Sequence, residues 1–202
     1  MTTLRTRFAA PQRFLHWFMA ACIISMLFIG IGMISTIAPK YLTLIQIHKL
    51  LGIVILVLAL IRLTLRAYYG APALPADLPM PIRLAAELSQ YIFYALMIGM
   101  PLIGWAMLSA TSHPVILFGS VDLPPILPLN ASLYSLLRRA HHFLAFAFFG
   151  LILMHVAALL FHKLVRKDGI FEAMAPSFTL TKPTNERKET SDCSMNTQHR
   201  AR

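Results

Sequence analysis

Four stretches of the chain are long and almost wholly apolar: about Phe14 to Ile37, Leu44 to Leu65, Leu84 to Ala110 and Leu133 to Val165. Each meets the roughly 20 residues that a helix needs to cross a bilayer. The pattern therefore predicts an all-α fold, an integral membrane four-helix bundle. The four spans differ in their polar residues and show no repeat at a fixed period. Pro39 stops the first helix in the Thr36 to Lys40 turn. The second ends around Arg66 to Gly70, where Pro72, Pro75, Pro79 and Pro81 predict a stiff, extended connection. Pro101 and Gly104 predict a kink in the third, with neighbouring helices or Ser109 satisfying the freed carbonyl. The stretch from Thr111 to Asn130 carries Pro114, Gly119, Pro124, Pro125 and Pro128 and reads as a loop lying over the bundle, long enough to act as a lid. Residues 1–175 form the expected membrane domain. Residues 176–202, polar and poor in apolar side chains, form the expected disordered tail.

Composition agrees with this reading and charge adds a topology. The chain is 57% hydrophobic and only 13% charged, outside the range of soluble domains. A net charge of +10 over 202 residues suggests nucleic acid at first sight. The basic residues instead sit at helix ends and in the tail, which excludes a single basic nucleic-acid face. Arg5, Arg7, Arg13, Arg62, Arg66, Arg83, Lys163, Arg166 and Lys167 fall on one side, and Lys40, Lys49, Arg138 and Arg139 on the other. Nine against four puts both termini in the cytoplasm. The N-terminal apolar run is too long for a signal peptide and lacks a cleavage site, so it reads as a retained anchor.

Six of the eight histidines lie in or at the ends of the spans: His16, His48, His141, His142, His155 and His162. Ionisable side chains in a membrane are expensive and usually face the bundle interior with a partner. His141 and His155 are fourteen residues apart, nearly four full turns, so both rings share one face about 21 Å apart along the axis. His16 is at the cytoplasmic end of the first helix and His48 at the opposite end of the second. Depth then pairs His16 with His155 and His48 with His141. Two imidazoles across a bundle core suit an iron that cycles electrons without binding oxygen. The only cysteines, Cys22 and Cys193, provide neither a disulfide framework nor the CxxCH attachment signature, so such a haem is non-covalent.

The same fourteen-residue offset runs from His16 to Gly30 and from His48 to Arg62. Gly30 is either where the outer porphyrin lies against the backbone or, with Gly32, an ordinary close-packing position. Arg62 either pairs with propionates of the inner haem or snorkels to the surface. His142 does not share the face of His141 and reads as interfacial. His162, seven residues past His155, returns to the ligand face, as a propionate or quinone contact or as a solvated end-of-helix residue. The third helix has no histidine and reads as packing.

With Arg13-Phe14-Leu15-His16-Trp17, Ile47-His48-Lys49-Leu50-Leu51-Gly52, Arg62 and Arg66, Met100-Pro101-Leu102-Ile103-Gly104-Trp105, and His141 with His155, the chain resembles the bacterial cytochrome b561 family. These are four-helix di-haem proteins related to the cytochrome b subunits of nickel-iron hydrogenases, and the resemblance covers residues about 5 to 175. It implies two haem b groups, electron transfer in the bacterial cytoplasmic (inner) membrane and quinone as redox partner. A superoxide-oxidising activity in the family implies superoxide as a periplasmic donor and ubiquinone as acceptor. Lys49, Arg138 and Arg139 at the outer mouth are compatible with an anionic donor. The polar tail and the loop between helices three and four depart from the family pattern and leave the donor open, including a redox partner protein. Two rivals stand beside this reading: the membrane-anchor, quinone-reactive subunit of a larger dehydrogenase or hydrogenase, and a metal transporter, for which the spans hold almost no acidic residues.

Overall fold

The computed structural model describes residues 7–35, 39–72, 78–111, 115–117 and 121–175. The polar tail with Cys193, the turn at 36–38 and the stretch 73–77 with Pro75 lie outside the described residues. Four long helices dominate: α1 (Ala10–Ser35), α2 (Lys40–Tyr69), α3 (Met80–Ser109) and α4 (Ala131–Phe161). α1, α2 and α3 begin about a turn before their apolar stretches and α2 also ends about a turn after, because the flanking residues continue the helix into the interfacial layer. By contrast, α4 ends at Phe161, a turn short of Val165.

Sequence chemistry explains the ends. Pro79 precedes α3 and Pro81 occupies its first turn, where a missing N–H costs nothing. The Asn130 side chain accepts a hydrogen bond from the Leu133 amide at 3.0 Å and caps α4. Gly70, with φ of 70°, closes α2 through its amide to the Arg66 carbonyl. Past α4 the chain makes a π-helical turn, His162–Arg166, then reverses through left-handed Lys167 and Gly169 into a short α5 (Ile170–Met174).

The helices run up and down, and close backbone packing joins α1 to α2, α2 to α3 and α3 to α4. The start of α1, the end of α2, the start of α3 and the end of α4 therefore share one end of the bundle, here the terminal end. The other is the loop end. Only 6 to 22% of each apolar span is buried within the protein. Phe14, Phe28, Ile34 and Phe143 are all at least 70% exposed, which is the surface of a protein solvated by lipid. The buried layer is thin and central: Leu15 and Met19 of α1, Ala59 of α2, Leu96 and Met97 of α3, Phe148 and Leu151 of α4.

Between α3 and α4 two short strands, β1 (Val115–Leu117) and β2 (Val121–Leu123), pair antiparallel, and residues 112–114 and 118–120 beside them lie outside the described residues. The chain after β2 is tied to α3. Trp105 Nε1 donates to the Pro124 carbonyl at 3.1 Å, and the Ile126 amide donates to Ser109 Oγ at 3.2 Å. Ser109 itself bonds back to the Trp105 carbonyl at 2.9 Å, so it serves the loop junction rather than the carbonyl that Pro101 frees.

Candidate functional site

The four histidines singled out by spacing come together in two pairs. At the terminal end the ring centres of His16 and His155 are 6.5 Å apart, with planes at 64°. At the loop end those of His48 and His141 are 6.2 Å apart, at 63°. Imidazole–metal bonds of about 2 Å would place the centres of two trans imidazoles on one ion about 6 Å apart. Both pairs therefore stand at the separation of two rings facing one metal from opposite sides. Each pair joins α4 to a helix that is not among its closely packed neighbours.

Among the described residues the buried Nδ1 of His48 has no hydrogen-bond partner, while the His141 ring has the Met100 backbone beside it. Among the described residues no three His, Cys, Asp or Glu side chains converge as a metal cage. Two-member sets suit a metal whose remaining positions a macrocycle fills.

Helix α3 does more than pack. Phe93 sets its ring edge-to-face against His155, with centres 5.2 Å apart, and against Phe148 at 6.0 Å. Eleven residues on, three turns up the same face, Gly104 lies against the His141 ring, where an added Cβ would stand 3.5 Å from Cε1. One helix without a histidine thus packs against both histidine rings of α4. The periodicity of α3 carries that face, but nothing in its sequence says which neighbour it meets.

The remaining expected residues separate clearly. An added Cβ at Gly30 meets nothing within 4 Å, whereas at Gly32 it would touch Leu44, so close packing belongs to Gly32 and open space to Gly30. Arg62 does not run out to the surface: its Nη1 reaches His16 Nδ1 at 2.8 Å. His142 is exposed and stacks edge-on with Phe146 at 5.0 Å, away from the ligand face. His162 is not solvated, since its side chain is 13% exposed and its Nδ1 donates to Asp168 Oδ2 at 2.6 Å. Burial raises the pKa of Asp168, but hydrogen bonds from His162, the Ile170 amide and Arg166, with the charge of His162, outweigh it and hold the carboxyl below the usual carboxylate range.

Asp168 was not foreseen, and it anchors a cap. The Phe8 amide donates to the Ala173 carbonyl at 3.1 Å, Trp17 Nε1 to Met174 at 3.0 Å and Arg7 Nε to Glu172 at 3.1 Å, so α5 docks on the start of α1.

A multi-pass helical bundle with imidazoles paired across its interior is the build of a membrane cytochrome. The chain belongs to the prokaryotic cytochrome b561 family, whose sequence model matches residues 7–177. It is 27% identical over 178 residues to cytochrome b561 homolog 1 of Escherichia coli (strain K12), covering 84% of this chain and 97% of that protein. Cytochrome b561 homolog 2 of the same organism is 27% identical over 176 residues, 86% of this chain and 93% of its own length. A probable superoxide oxidase CybB of Yersinia pestis is 33% identical over 132 residues, 65% of this chain and 74% of that protein. The chain is accordingly a haem b-binding electron-transfer protein of the bacterial inner membrane, with redox interactions inside that membrane.

Proposed function

We propose that the chain holds two haem b groups, one between His16 and His155 and one between His48 and His141, and relays electrons between a periplasmic donor and membrane quinone. The observation that carries this is the pairing itself: two sets of imidazole rings whose centres lie 6.5 and 6.2 Å apart, with their α4 members fourteen residues apart. When bound, haem b supplies one-electron chemistry by cycling its iron between ferric and ferrous states. The chain's own work is to fix the two groups at different depths, to orient their ligands and to exclude water from the layer between them. Phe148 stands midway between His141 and His155 and is buried. Ile55, which stands midway between His48 and Arg62, is buried as well.

Both termini are read as cytoplasmic, which makes the loop end periplasmic. Superoxide is the donor favoured by two observations: the name of the Yersinia relative, and the basic residues Lys49, Arg138 and Arg139 at that end, which raise the encounter rate of an anion. Two superoxide anions give up one electron each and leave as dioxygen, and the quinone takes those two electrons with two protons. His162 supports quinone at the cytoplasmic end. Its Nδ1 donates to Asp168, leaving Nε2 to accept a hydrogen bond from the hydroxyl of the reduced quinone.

The test is haem stoichiometry and reduced-minus-oxidised spectra on the purified full chain. Two haems per chain are expected, with one lost in His48→Ala and the other in His155→Ala. A single haem in the unaltered protein, or loss of both from either variant, would sink the pairing. Superoxide supplied to the quinone-loaded protein should reduce the haems faster than it dismutes. Reduction no faster than that background removes superoxide as the donor.

A further inference from the structure

At the terminal end, polar side chains from two facing helices converge on one cleft. Arg62 and Arg66 stand one turn apart on α2, Gln90 and Tyr94 one turn apart on α3, and Phe8, Gln12 and Met174 complete the walls. Gln12 is already committed. Its Nε2 donates to the carbonyls of Leu65 and Gly70, and its Oε1 accepts from the Ala9 amide, which ties α1 to the end of α2. Two guanidiniums, an amide and a phenol remain.

Neither guanidinium meets a carboxylate among the described residues: Glu87 is with Arg83, and Asp168 is with Arg166 and His162. Two cations one turn apart on a half-buried helix face repel each other. An anion between them would offset that repulsion. The position of Arg62 says which anion. Its guanidinium donates to His16 Nδ1, so in this state that nitrogen carries no proton. A ring that offers Nε2 to iron carries its proton on Nδ1 and becomes a donor there. Arg62 then faces a donor with its own donors and must turn to an acceptor. The cleft it shares with Arg66 is where it can turn.

We propose that Arg62, Arg66, Gln90 and Tyr94 form a clamp for the two propionate carboxylates of the haem held by His16 and His155. This rests on the di-haem reading. Two guanidiniums match two carboxylates in number, and Gln90 and Tyr94 add donors from the opposite wall. The phosphate of an anionic lipid offers similar chemistry, but only a group entering beside His16 accounts for the Arg62 contact.

The test uses the full chain and its Arg66→Gln, Arg66→Lys and Arg62→Gln variants. Removing a cation beside one iron favours its ferric state, so redox titration of R66Q should show one midpoint potential lowered and the other unmoved. R66K should stay near the unaltered protein, which separates charge from folding. In competition between protohaem and its dimethyl ester, which has no free carboxylates, the unaltered protein should prefer protohaem at one site by about tenfold or more, the strength of a charge-assisted pair. R66Q and R62Q should level that preference. Equal preference in the unaltered protein, with both haems bound, overturns the clamp and leaves the di-haem reading standing. Fewer than two haems there overturns both. Loss of a retained phosphatidylglycerol from R66Q, with both potentials unmoved, makes the cleft a lipid site and overturns the clamp.

Discussion

At Gly104 the space for a side chain is set by an imidazole. An added Cβ stands 3.5 Å from His141 Cε1 and 3.8 Å from Nδ1, ordinary contact distances that a methyl group tolerates. Gly104→Ala should therefore keep a full complement of haem. Gly104→Leu adds four carbons where the ring stands and should cost the haem of the His48–His141 pair while sparing the other, read from the absorbance per chain. Full occupancy in the leucine variant would show that this glycine does not set the ligand's position. The histidines themselves were legible in the sequence, because an imidazole in an apolar span is costly enough to demand a purpose and a fourteen-residue interval fixes both face and depth. Gly104 and Phe93 were not. Apolar and small residues are what any membrane helix contains, and their role depends on how α3 is rotated against α4, a tertiary fact. Arg62 was half legible. Its level was given by the interval from His48, and its partner, the His16 ring, was not.

Among the elements, α3 and the cap show most clearly what pattern reading leaves out. The spans were read to within about a turn of their observed ends. The hairpin β1–β2 and α5 were not, because short elements draw their stability from docking rather than from periodicity. The docking of α5 rests on Asp168, and its pH dependence follows from the sign of its shift. The folded carboxyl lies below the ordinary carboxylate range, so its contribution is complete above about pH 4 and is lost as pH falls through the folded value. Asp168→Asn should remove that contribution at every pH. Hydrogen exchange at the amides of Phe8 and Ala173, which join or brace the cap, should then be faster in the variant at neutral pH and converge with the unaltered protein in acid. Equal exchange at neutral pH would mean that Asp168 does not hold the cap. Along α3, Phe93→Leu removes the edge-to-face contact with His155, a contact of about 0.5–1.5 kcal/mol. It should alter the low-spin ferric resonance of one haem, which reports the relative orientation of its two imidazoles, and leave the other signal in place. Identical spectra would show that the ligand plane is fixed by something else.

For the molecule as a whole, the governing asymmetry is electrical. A lipid-solvated bundle admits charge only at its two ends, so an anionic donor and a quinone meet different fields. The loop end carries Lys49, Arg138 and Arg139 with Asp122, while Arg138 reaches back to Tyr134 Oη at 3.1 Å and remains exposed. Exposed charges act over about 8 Å at physiological ionic strength and about 30 Å at 0.01 M, so they influence how often an anion arrives rather than how electrons then move. If superoxide enters there, the second-order rate of haem reduction should fall as salt is raised. The double variant Arg138→Gln, Arg139→Gln should lower the low-salt rate about tenfold and flatten the salt dependence. On the proposed reading, electron transfer to quinone is a different step at the opposite end and should be unchanged in that variant. A salt-independent rate in the unaltered protein would show that the basic residues serve membrane topology alone, and that the donor at this end is neutral or makes a specific contact with the loop.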